Sequence, residues 1–114
     1  MIKGLVFYEN ADVPIREGII TSNRPVVVVS QRMYGDVVHV VPLTSSDKRF
    51  DGMKHHVIVD VDGRESVALC EQIRTVNLKE LSRMPKCVCS QKEIDLIDSA
   101  LAEMLFGGDI EYEE

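Results

Sequence analysis

Four valines in a row, Val26 to Val29, follow Pro25 with no polar residue among them. Side chains of a strand alternate between two faces, so a run with no alternation predicts a strand buried on both. Leu5 to Tyr8, Pro25 to Ser30 and Asp36 to Leu43 have the same β-branched, aliphatic and aromatic character. His56 to Val61 alternates strictly, Asp62-Gly63 supplies a turn, and Ser66 to Thr75 resumes the pattern, which predicts a hairpin. Five such strands, joined by loops at Glu9 to Asn23 and Ser45 to Lys54, close most economically into a small, strongly bent barrel.

The period then changes. Ser90 and Glu93 form a capping box that starts a helix, Ile94, Ile97, Leu101, Met104 and Leu105 recur at helical spacing, and Gly107-Gly108 stops it. A shorter helix is expected over Asn77 to Met84, ended by Pro85. The expected class is mainly β with a C-terminal helix. At 114 residues the chain has room for one domain, 1–114, closed by an acidic tail over 109–114.

Charge and cysteine usage narrow the function. A formal charge of −6, from 13 Lys and Arg against 19 Asp and Glu, argues against a protein that coats nucleic acid, although four carboxylates in the last six residues leave room for a local basic cleft. Cys70, Cys87 and Cys89 cannot all pair within one chain, which favours a reducing compartment. No apolar run approaches the length of a spanning helix, and the first residues lack a basic leader with an apolar core, so a cytoplasmic protein without a membrane partner is expected. His55-His56 and Cys87-x-Cys89 lack the spacing of a structural zinc site, and nothing resembles a phosphate-cradling glycine loop, a hydrolase serine elbow or a dinucleotide site; no metal and no cofactor are expected.

Read in order, Asn23-Arg24-Pro25 with its valine run, Val40-Val41-Pro42-Leu43-Thr44-Ser45, His56-Val57-Ile58 and Ser66-Val67-Ala68-Leu69-Cys70-Glu71-Gln72-Ile73-Arg74-Thr75 resemble successive blocks of the MazF/PemK/Kid toxins, over about residues 3 to 106. The resemblance implies an SH3-like small barrel of the MazF/PemK/CcdB type, a homodimer, and a cognate antitoxin as partner. It also implies metal-independent cleavage of single-stranded RNA by attack of the substrate's own 2′-hydroxyl. Arg24, Thr44 and Glu71 match the family's catalytic positions; Ser45, Gln72 and the loop residues Thr21, Ser22 and Asn23 are the implied RNA contacts.

The residue types suit that chemistry. A guanidinium can hold two phosphate oxygens at once, and Pro25 favours an extended backbone that fixes Arg24 at the mouth of the strand. A carboxylate such as Glu71 could take the 2′-hydroxyl proton, and strand alternation sets it on the face opposite Arg74, leaving Arg24 as its expected partner. From spacing alone, Thr44-Ser45-Ser46 reads as a turn after Pro42, and it is the resemblance that turns the reading of Thr44 and Ser45 to a phosphate contact. The chain departs from the family at two places: Ile19-Ile20 replaces a Glu-Gln pair in the loop before Arg24, and Leu69 stands where some members carry a catalytic arginine. The alternative functions are therefore a weak or inactive toxin-fold protein that grips a protein target, as gyrase poisons do, and a partner that only binds an antitoxin.

Overall fold

The computed structural model describes residues 2–10, 24–45 and 53–107. The predicted loop contacts Thr21, Ser22 and Asn23 and the acidic tail over 109–114 lie outside the described residues.

Seven strands form: β1 (Leu5–Tyr8), β2 (Pro25–Val28), β3 (Val37–Ser45), β4 (His56–Val61), β5 (Arg64–Leu69), β6 (Arg74–Asn77) and β7 (Cys87–Val88), followed by α1 (Gln91–Phe106). All the pairings between them are antiparallel, in the order β4-β5-β3-β2-β1-β7, with β6 also on β3. The mainly β class with a C-terminal helix is the one the sequence predicts.

The valine run accounts for the layering. Val27 joins Val6, Val41, Leu43, Val59 and Ile97 of α1 in one apolar cluster, while its neighbours Val26 and Val28 join Phe7, Val38, Val40, Val76 and Leu81 in a second. Successive side chains of β2 thus feed opposite cores, and Val26, Val27 and Val28 are almost fully buried.

Local signals behave as read. Ser90 Oγ accepts from the Glu93 amide, and the Glu93 side chain accepts from the Ser90 amide, so the capping box is closed. Asp62 and Gly63 both have positive φ, 51° and 83°, the geometry of a tight two-residue hairpin turn, and Asp60 Oδ1 accepts from the Gly63 amide at 2.6 Å. Gly4 is required on two counts: its φ is 89°, and a Cβ there would stand 2.6 Å from Ile94 Cδ1. A Gly4→Ala variant is expected to lose at least about 1–2 kcal/mol, read as a lowered urea midpoint with unchanged slope.

Three expectations change. The predicted strand Ser66 to Thr75 is interrupted by a 3₁₀ turn, Cys70–Gln72. Leu43 faces Ala68 and Val40 faces Arg74, so three steps on β3 match six on its partner, and three extra residues are looped out. That insertion breaks the alternation assumed for residues 71 to 74. The short helix expected over Asn77 to Met84 is one 3₁₀ turn, Leu78–Glu80, capped by Asn77, because β1 recaptures the chain: the amides of Ser82 and Lys86 donate to the carbonyls of Tyr8 and Val6 at 2.8 and 2.7 Å. Thr44 and Ser45 end β3 itself and do not form a turn.

Candidate functional site

The ends of five strands, β1 to β5, meet at one cleft. The β2–β3 register sets Val26 opposite Pro42, which brings Arg24, just before β2, level with Thr44. Thr44 in turn faces Val67 and Ser45 faces Ser66, while Val61 and Arg64 close the β4–β5 hairpin beside them. Tyr8, the last residue of β1, pairs with Pro25 on the other flank. Tyr8, Arg24, Pro25, Leu43, Thr44, Ser45, Val61, Arg64 and Ser66, together with Asp62 and Lys86, line a cleft of about 470 Å³.

Its charge is unlike that of the whole chain. Three cations, Arg24, Arg64 and Lys86, face one carboxylate, Asp62, with the hydroxyls of Thr44, Ser45 and Ser66 between them. No carboxylate among the described residues pairs with Arg24 or Arg64. Lys86 lies 3.4 Å from Asp62 Oδ2, with its ammonium 4.7 Å from the centre of the Tyr8 ring. Tyr8 first and Asp62 second raise the Lys86 pKa above its ordinary value, so it is a cation at any physiological pH. Thr44 and Ser66 are buried, whereas Arg24, Arg64 and Ser45 are exposed, so the cations lie at the solvent side of the cleft over more deeply set hydroxyls.

Of the residues singled out from the sequence, Arg24, Thr44 and Ser45 converge here. Glu71 does not line this cleft. It sits in the 3₁₀ turn beyond the far end of β5, four residues past the Val67 that faces Thr44. Its partner is His56, not the expected Arg24: the imidazole Nε2 is 2.9 Å from both carboxylate oxygens, with the ring buried and the carboxylate half-exposed. Gln72, in the same turn, is half-buried. Arg74 engages Glu9 through both terminal nitrogens, and the Glu9 side chain is fully buried. The Glu9 amide also donates to the Arg24 carbonyl at 3.1 Å, so this pair supports the backbone that carries Arg24.

The sequence reading missed Tyr8, Arg64 and Lys86. The first two had a usable signal, since they sit at the end of a strand and just after a predicted turn; Lys86 had none, because its place depends on the pairing of a two-residue strand. Burial pushes the Cys70 and Cys89 thiols up to about 12 and raises the Cys87 thiol as well, which disfavours the thiolate at all three. Among the described residues, no group of three or more His, Cys, Asp or Glu is placed to hold a metal ion, and no helix is long and apolar enough to cross a membrane.

Residues 4–105 match the family model of the PemK-like, MazF-like toxins of type II toxin-antitoxin systems. The chain belongs to this family. Solved structures agree on the MazF-like fold. MazF from Deinococcus radiodurans superposes with a TM-score of 0.75 at 18% identity, covering 92% of this chain and 96% of that one. The MazE-MazF structure from the same organism gives 0.70 at 18% identity over 95% and 97% of the chains. An endoribonuclease in complex with its cognate antitoxin, from a mycobacterial species, gives 0.69 at 19% identity over 92% and 94%. Among curated proteins none matches this sequence. In this MazF-like toxin the β2–β3 register sets the Arg24-Pro25 strand start and the Thr44-Ser45 strand end, two of the blocks on which the resemblance rests, side by side.

Proposed function

We propose that this toxin is an endoribonuclease that cleaves single-stranded RNA without a metal, through attack of the substrate's 2′-hydroxyl on the adjacent phosphate. The observation that carries the reading is a cleft with two arginines that no described carboxylate neutralises, set over three hydroxyls, in a chain of net charge −6. A polyanion is the ligand such a site suits.

In this reading Arg24 forks onto the oxygens of the scissile phosphate, and the buried Thr44 hydroxyl, fixed by the β3–β5 ladder, donates beside it. Arg64 adds a second cation at the hairpin end of the cleft. Negative charge that builds on the phosphate is met by donors already in place, so little reorganisation is needed at the moment of reaction. Glu71, paired with His56 in the 3₁₀ turn beyond β5, is out of hydrogen-bond reach of a 2′-hydroxyl beside the phosphate that Arg24 holds. In this reading it and Gln72 therefore meet a neighbouring part of the strand, and water in the open cleft takes the 2′-hydroxyl proton. Ser45, at the rim of the cleft, contacts the strand beside Thr44. The proposal includes a cytoplasmic homodimer and an antitoxin partner, the partner supported by the mycobacterial relative solved with its cognate antitoxin; that antitoxin is proposed to compete with RNA for the same cleft.

Purified protein incubated with long RNA in EDTA is the test. Discrete cuts with 5′-hydroxyl ends and cyclic or 3′-phosphates are expected. Intact RNA both with EDTA and with added divalent metal would remove the ribonuclease reading. Within it, Arg24→Ala is expected to cost about 2.7–4 kcal/mol of transition-state stabilisation, seen mostly in kcat, with Thr44→Ala milder. An Arg24→Ala enzyme of full activity would show that the chemistry lies elsewhere.

A further inference from the structure

Among the described residues, Lys86 is the cation of the cleft that pairs with a carboxylate. Its amide is fixed to the Val6 carbonyl at 2.7 Å, so the side chain starts from a rigid point at the rim of the sheet. From there the ammonium reaches over the Tyr8 ring at 4.7 Å to Asp62 at 3.4 Å. Asp62 is the first residue of the hairpin turn and its side chain is half-exposed, so the contact with Lys86 is long and open to solvent. An exposed ion pair of that length is weak. Tyr8, by contrast, is held firmly: its amide donates to Ser82 Oγ at 3.1 Å and its carbonyl accepts from the Ser82 amide at 2.8 Å.

We propose that Lys86 is a phosphate-binding residue for the RNA strand, that Asp62 occupies its ammonium in the free protein as an internal stand-in for that phosphate, and that the Tyr8 ring positions it at the cleft. This rests on the ribonuclease reading and adds residues to the same site. When a strand enters, its phosphate displaces the Asp62 carboxylate from Lys86 and the ammonium stays over the ring. Asp62 thus competes with substrate for one cation, and the contact does no structural work that the hairpin turn does not already do through Asp60 and Gly63.

This has an unusual consequence: removing the carboxylate should improve binding. The probe is an uncleavable single-stranded 2′-O-methyl RNA of mixed sequence, titrated at several salt concentrations. Each phosphate contact on a single strand contributes a slope of about −0.7 in log K against log salt, so Lys86→Gln should flatten the slope by about that amount and weaken binding alike across sequences. Asp62→Asn should tighten binding at low salt by about two- to fivefold, the factor an exposed ion pair is worth. Tyr8→Leu should weaken binding with the slope kept, since the charge is still present but the ring and hydroxyl that hold the Lys86 ammonium at the cleft are gone. A purely structural pair would give the opposite pattern, with both Asp62→Asn and Lys86→Gln lowering the melting temperature and neither moving the slope. If the wild-type protein binds RNA with a slope that Lys86→Gln leaves unchanged, or if Asp62→Asn weakens binding, the assignment of Lys86 falls and the ribonuclease reading stands. If the wild-type protein binds no RNA at any salt concentration, both fall.

Discussion

Replacing the ribose on the 5′ side of the cut bond by deoxyribose is expected to abolish cleavage and leave binding nearly unchanged. The cleft supplies cations and hydroxyls that can hold a phosphate. In the proposed reaction, as the resemblance to the MazF-like toxins implies, the nucleophile is the substrate's own 2′-hydroxyl, so a single oxygen atom carries it. In the proposed complex Arg24, Arg64 and Thr44 contact phosphate oxygens and would make the same contacts with either sugar, so affinity for the deoxy-substituted strand should stay within a small factor of the parent. The comparison needs one oligonucleotide cut at one site, its deoxy variant, and separate measurements of binding and of single-turnover rate. Cleavage of the deoxy strand at an undiminished rate would mean that water or a protein group attacks instead.

Where a signal depends on neighbours in the chain, the sequence reports it well. The doubly buried β2 follows from four valines, the Asp62-Gly63 turn from its two positive-φ residues, and the start of α1 from Ser90 and Glu93, because each is decided within a few residues. Resemblance to the family picked out Arg24 and Thr44, but nothing local says that they meet; the β2–β3 register does. The failures share a cause. The break at Cys70–Gln72 exists because β5 and β6 pair with two stretches of the same β3 in different registers, and that offset cannot be read from the apolar pattern of Ser66 to Thr75. It moved Glu71 onto His56 and away from Arg24. Lys86 escaped notice because β7 is two residues long and takes its position from β1.

The Glu9–Arg74 pair is the least legible feature, with its members 65 positions apart, and it carries the largest expected effect on stability. Glu9 is fully buried at the end of β1, and both of its carboxylate oxygens are taken by Arg74 from β6. Taking two charges out of water is expensive and the fork geometry offsets that cost only while both members are present. Glu9→Gln should therefore destabilise the fold by about 3–5 kcal/mol, because Arg74, whose Nε is already buried without a partner, would be left charged beside a neutral amide. Loss on that scale should lower the melting temperature by more than about 10 °C. Replacing both members by methionine should recover much of the loss, since an apolar pair leaves no unpaired charge. The cycle also reaches function. The Glu9 amide holds the Arg24 carbonyl, so the double variant, once folded, should keep that backbone contact and most of its cleavage rate, whereas Glu9→Gln should lose activity in step with folded fraction. A Glu9→Gln protein as stable as the parent, measured by urea unfolding at neutral pH, would show that the pair contributes nothing that a neutral hydrogen bond cannot.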